Sequence, residues 1–180
     1  PLSALVMGVL ADRAGLPAGI FNVVTSSSAS EIGKEFCENP GIRKLTFTGS
    51  TEVGRILLKQ AADLVIKCSM ELGGNAPFIV FDDADLDAAV EGAMMCMFRN
   101  NGQTCVCANR IYVQDGVYDA FAEKLSTRLA QMKVGDGLDG ADLGPLIEPA
   151  AVDKVREHLA DATSKGGKVA FGGKAHDLGG

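Results

Sequence analysis

Three short stretches of this sequence put reactive side chains in settings where they could do chemistry. In Asn100-Asn101-Gly102-Gln103-Thr104-Cys105 a thiol follows small and amide residues. Free backbone N–H groups in such a loop favour the thiolate, which is the nucleophilic form. A buried, inert cysteine suits the same residues. In Met70-Glu71-Leu72-Gly73-Gly74-Asn75 a carboxylate ends an apolar run beside two glycines. A desolvated carboxylate there holds a proton more readily and can act as general base; a solvated strand end is the alternative. Neither His158 nor His176 lies near Cys105 in sequence. A Cys–His hydrolase therefore has no obvious base, and a cysteine with a glutamate base suits attack on an already electrophilic carbonyl. In Phe47-Thr48-Gly49-Ser50-Thr51-Glu52-Val53-Gly54 a strand runs through a glycine into a hydroxyl-capped helix. Its first N–H groups can hold a phosphate. The stretch is neither the GxGxxG fingerprint nor a P-loop, since the lysine is absent, and an ordinary capped helix has the same look.

The elements that must position these residues alternate. Leu2–Ala14 is apolar on nearly every face, stops at Gly15-Leu16-Pro17, and reads as a buried helix. Strands are predicted at 20–24, 44–48, 65–72, 77–81, 110–113 and 168–171. Helices are predicted at 30–38, with Ser30 as a candidate cap, and at 51–62, 86–97, 117–132 and 150–162. Asn100 to Cys107 reads as a polar loop. If Cys105-Val106-Cys107 is extended, its two sulfurs point the same way. This order indicates an α/β class, with the break between two domains at Gly73-Gly74.

Composition narrows the classes. The 180 residues are 47% hydrophobic and 22% charged, so general disorder is excluded and the length allows a sizeable core. No apolar run is long enough to span a membrane. A net charge of −6 with no tryptophan leaves no cationic, stacking surface for nucleic acid. Five cysteines without metal-type spacing suggest reduced thiols, no metal and a cytoplasmic setting. With Pro1 inside a helix start and no initiator methionine, the chain reads as a piece of a longer polypeptide.

Taken together, F-T-G-S-T-x-x-G, then M-E-L-G-G-N-x-P, then G-Q-T-C resemble the aldehyde dehydrogenase superfamily. The likeness runs through Phe81–Asp87, Gly144-Pro145-Leu146 and Gly172-Gly173. Gly102–Arg110 and Val113–Tyr118 are most similar to its succinate-semialdehyde branch. The resemblance implies an aldehyde dehydrogenase-like α/β fold, with residues 1–73 the closing part of a Rossmann-like NAD(P)-binding domain and 74–180 the opening part of the catalytic domain. It implies Cys105 as nucleophile, its N–H as half of an oxyanion hole, and Glu71 as general base. It implies Gly49 and Ser50 at the cofactor pyrophosphate, Leu72 near the nicotinamide, and NADP in preference to NAD. Arg99 matches the arginine that binds the substrate's distal carboxylate. A guanidinium suits that task bidentately, although a solvated helix-end cation has the same sequence. Cys107 is a candidate redox partner of Cys105, with a small packing residue as the alternative. Ser26 stands where relatives often carry glycine. The resemblance implies further cofactor-binding segments and the second oxyanion donor outside this sequence. It also implies a homo-oligomeric parent (a dimer or a tetramer), a small aldehyde as partner, and no activity in the isolated 180 residues. The expected substrate is succinate semialdehyde. The alternatives are another ω-carboxy aldehyde such as glutarate semialdehyde, or a non-catalytic relative that keeps the fold.

Overall fold

The computed structural model describes residues 1–178. The chain divides into two units, Pro1–Leu72 and Gly73–Gly180.

In the first unit, α1 (Leu2–Arg13) and α2 (Ala29–Glu38) precede β1 (Lys44–Gly49), α3 (Thr51–Ala61) and β2 (Lys67–Leu72). The two strands are parallel, with Leu45 opposite Cys68, Phe47 opposite Met70 and Gly49 opposite Leu72. Parallel strands need a crossover, and α3 supplies it. Cys37, Leu45, Leu57 and Ala61 form the buried centre, with Phe47, Ile66, Cys68 and Met70 packed on it.

The second unit repeats the plan. β3 (Ala76–Val80) and β4 (Ala108–Val113) are parallel and joined through α4 (Leu86–Phe98). Asp85 caps α4, its carboxylate accepting from the N–H groups of Asp87 and Ala88 at 3.0 and 3.1 Å. α5 (Tyr118–Leu129) and α6 (Pro149–Ser164) follow. Val80, Val90, Ala93, Met94 and Phe121 are the core. Ion pairs from Lys124 to Asp87 and from Arg128 to Glu91 link α5 to α4 at the surface. The register jumps between Ala76, opposite Ala108, and Pro77, opposite Arg110. Asn109 is thus the extra residue of a β-bulge.

Several expectations fail locally. α1 has no buried residue; Leu2 is 76% exposed. Its all-round apolar surface demands cover, but nothing among the described residues of the unit supplies it. Residues 20–24 form no strand. Ile20, Phe21 and Val24 are exposed, and the Asn22 amide bonds back to the Gly19 carbonyl at 2.8 Å, which makes a turn. Residues 168–171 form no strand either. They have no partner to complete a ladder, and positive φ at Gly166, Gly172 and Gly173 breaks the extended run. Ser30 lies inside α2 and does not cap it. Ser28 holds the cap position without a side-chain bond, its own N–H donating to Ser26 Oγ at 2.9 Å.

Candidate active site

Cys105 is placed by the way α4 ends. A 3-10 turn at Arg99–Gly102 carries Asn100 at φ 52°, ψ 50° and Asn101 at φ 56°, ψ 28°, followed by Gly102 at φ 73°. Three successive left-handed residues reverse the chain. Asparagine tolerates this region better than other L residues. Gly102 has no substitute, since an added Cβ would sit 2.8 Å from the Met97 carbonyl oxygen. The loop is then tied down. The Thr104 hydroxyl donates to the Arg99 carbonyl at 3.2 Å, and the Cys107 thiol to the same oxygen at 3.6 Å. The Asn101 side chain reaches both backbone groups of Gly144, at 3.3 and 3.5 Å.

The Cys107 N–H donates to the Thr104 carbonyl at 2.9 Å, so residues 104–107 form a turn. The extended geometry that would align the two sulfurs is absent. Cys105 is exposed while Cys107 is buried, and both are free thiols. Among the described residues the Cys105 N–H meets no acceptor. An exposed thiol therefore sits beside an unengaged donor. The other cysteines differ. Cys37 is fully buried, and burial pushes its thiol up, with Cys68 and Glu38 adding to the effect. Cys96 is exposed, but it sits within α4, where backbone N–H groups are engaged in the helix.

In the first unit, four predicted residues gather at the carboxyl ends of β1 and β2. Thr48 faces Glu71 and Gly49 faces Leu72. Ligands of open parallel sheets bind at that end. Ser50 caps α3, its hydroxyl oxygen accepting from the Val53 N–H at 3.2 Å. The N–H groups of Thr51 and Glu52 meet no acceptor among the described residues, so this turn fits a pyrophosphate. Gly49 has a nearer reason to be glycine, because a Cβ there would strike the Phe47 ring. Glu71 is exposed, which is the solvated strand end of the two readings.

Arg99 is exposed at the end of α4, and its guanidinium makes no ion pair among the described residues. A cavity of about 790 Å³ lies in the second unit, walled by α6 and residues 173–178. Gly144 lines it; Arg99 and Cys105 do not. No group of three or more metal-ligating side chains occurs among the described residues. No helix among them is long and apolar enough to cross a membrane.

Sequence reasoning missed two features. The Asn-Asn-Gly triplet is a signal for left-handed backbone and was readable as such. The hold of Arg110 on Asn75 had no signal in the sequence.

The aldehyde dehydrogenase family model matches residues 1–180. The chain belongs to the aldehyde dehydrogenase family. It is 64% identical to the glutarate-semialdehyde dehydrogenase of Pseudomonas aeruginosa, over 100% of this chain and 37% of that protein. It is also 64% identical to the NADP(+) succinate-semialdehyde dehydrogenase of Escherichia coli, with the same two coverages. A crystal structure described as an E. coli NADP-dependent enzyme superposes with a TM-score of 0.97 at 63% identity, covering 100% of this chain and 37% of that one. This aldehyde dehydrogenase chain thus spans about 37% of the length of the curated relatives it matches.

Proposed function

We propose that this aldehyde dehydrogenase chain is part of an NADP-dependent enzyme that oxidises succinate semialdehyde to succinate. The observation that carries the reading is the exposed Cys105 thiol on a turn whose own N–H is unengaged. Glutarate semialdehyde is the second reading, because relatives named for the two substrates are equally identical to this chain. Both substrates pair a reactive aldehyde with a distal carboxylate.

The Cys105 thiolate attacks the aldehyde carbon, a C–S bond forms, and the carbonyl π pair moves to oxygen. The Cys105 N–H donates to that developing oxyanion, giving a thiohemiacetal. NADP, when bound, supplies the hydride acceptor. With that acceptor bound, the aldehyde hydrogen would leave as hydride and the acyl group would remain on Cys105 as a thioester. Glu71 then takes a proton from water, the oxygen adds to the thioester carbon, and the Cys105 thiolate departs as the carboxylate forms. Ser50 and the N–H groups of Thr51 and Glu52, beside Gly49, would hold the cofactor pyrophosphate, and Leu72 would border the nicotinamide. Arg99 binds the distal carboxylate. The enzyme works as a homo-oligomer in the cytoplasm, where its thiols stay reduced.

The test is turnover by the complete enzyme with each semialdehyde and with NADP or NAD. Succinate semialdehyde with NADP should give the highest kcat/KM, and Cys105→Ala should abolish it. Turnover that survives Cys105→Ala would refute the mechanism. A preference for glutarate semialdehyde would select the second reading.

A further inference from the structure

The proposed oxyanion donor is a backbone group, so something must hold that backbone still. The turn carrying Cys105 is held from within by the bonds of Thr104 and Cys107, and it also meets the segment that opens β3. Gly74 lies so close that an added Cβ would sit 2.6 Å from the Cys105 carbonyl oxygen. One residue on, Asn75 is held from two directions. Arg110 Nε donates to Asn75 Oδ1 at 3.1 Å, and Arg110 Nη2 donates to the Asn75 carbonyl oxygen. Next, the Ala76 N–H donates to the Cys107 carbonyl at 3.3 Å. The bulge at Asn109 sets Arg110 opposite Pro77, and from there its side chain reaches back past Ala76 to Asn75.

These contacts close a ring that runs from Cys105 along the chain to Arg110, across to Asn75, and through Gly74 back to the Cys105 carbonyl. Arg110 supplies the one side-chain link in that ring. Its planar fork engages a side-chain oxygen and a main-chain oxygen of the same residue, which a lysine cannot reproduce.

We propose that Arg110 is a positioning residue for the nucleophile: by clamping Asn75 it keeps Gly74 beside the Cys105 carbonyl, which limits rotation of the Cys105 main chain and so steadies both its thiol and its N–H, a group of the preceding peptide, for oxyanion binding. This rests on the proposed role of Cys105. Arg110 touches neither substrate nor reacting atoms. Its loss loosens the donor geometry and slows formation of the thiohemiacetal, with little effect on aldehyde binding.

The test compares Arg110→Ala, Arg110→Lys, Asn75→Ala and the Arg110→Ala/Asn75→Ala pair in the complete enzyme. Each is read by kcat, by aldehyde KM and by the pre-steady-state burst of reduced cofactor. Small misplacements of reacting groups can cost up to about 100-fold. Arg110→Ala should therefore lower the burst rate and kcat by roughly 10- to 100-fold, with KM within about threefold. Arg110→Lys should fail to restore the rate. The double variant should be no slower than Arg110→Ala, because Arg110 acts through Asn75. A burst rate at the wild-type level in a folded Arg110→Ala enzyme would overturn the proposal, and so would full rescue by lysine. Should Arg110→Ala fail to fold, Asn75→Ala, which keeps the charge and the main-chain link but removes the Oδ1 link, must show a smaller burst defect of the same sign for the proposal to stand, and a wild-type burst there overturns it. Cys105→Ala separates the two ideas. Activity in that variant refutes the nucleophile itself, whereas an inactive Cys105→Ala alongside a normal Arg110→Ala refutes only the clamp.

Discussion

The roles proposed for Cys105, Glu71 and Arg99 are separable, and each separation is measurable. A guanidinium that binds the distal carboxylate acts on binding, so Arg99→Met should raise KM for succinate semialdehyde. Charge-assisted hydrogen bonds contribute about 1.5–3 kcal/mol, and each 1.4 kcal/mol is about tenfold. The expected rise is therefore roughly 10- to 100-fold, with little change for an uncharged aldehyde of similar length. An equal rise for the uncharged aldehyde would mean that Arg99 only supports the end of α4. Glu71 should act after hydride transfer. In Glu71→Gln the burst of reduced cofactor should survive while steady-state turnover falls about 100-fold or more. A lost burst would instead assign Glu71 to activation of the thiol. The exposed setting of Glu71 in the first unit bears on this test, because water reaches the carboxylate freely there. The types and order of these three residues were legible in the sequence, since their motifs are local. Their exposure was not, because exposure depends on what lies across from a side chain in space.

Elements built on caps and alternation could be read directly. Ser50 and Asp85 start α3 and α4 with side-chain bonds to first-turn N–H groups, and Lys44–Gly49 alternates as a strand should. Residues 20–24 and 168–171 have strand-like composition but no partner, and a ladder cannot be inferred from one of its rails. The turn that carries Cys105 depends on the left-handed run Asn100–Gly102. A Gly102→Ala change adds a Cβ 2.8 Å from the Met97 carbonyl and places an L residue in αL, which alone costs about 1–2 kcal/mol. The second unit should lose at least about that much stability in denaturant unfolding, with activity falling further as Cys105 shifts. An unchanged unfolding midpoint would show that the turn is freely deformable. The first unit carries a different signature. Burial raises the Cys37 thiol above its ordinary 9.0, so the folded state keeps that proton to a higher pH than the unfolded chain. The associated stability is complete below the unfolded value and is lost as pH rises through the folded one. Unfolding measured at about pH 7.5 and about pH 10 should show an alkaline loss that Cys37→Ala reduces. Equal losses in the two proteins would contradict this.

At the scale of the whole chain, α1 sets the problem. Its apolar residues fall on every face, which is the pattern of a helix enclosed on all sides. Yet Leu2, Leu5, Val6, Met7, Val9 and Leu10 are 41–76% exposed. Fully burying one such side chain stabilises by about 1.5–3 kcal/mol, so covering the exposed half of all six would contribute roughly 5–10 kcal/mol. That matches the entire net stability of a typical domain, about 5–15 kcal/mol. Composition could show how much apolar surface the chain carries, but not how much of it 180 residues can cover. The curated relatives it matches are far longer, this chain amounting to 37% of their length. The 180 residues expressed alone should therefore bind a hydrophobic dye such as anilinonaphthalene sulfonate strongly and turn over no aldehyde with either nicotinamide cofactor. Replacing Leu2, Val6 and Leu10 by polar helix formers should weaken dye binding in the isolated chain, because those surfaces are already in water there. In the complete enzyme the same replacements should lower the unfolding midpoint, because there they would break a packed face. A complete enzyme indifferent to the replacements, or an isolated chain that oxidises succinate semialdehyde, would show that α1 needs no cover.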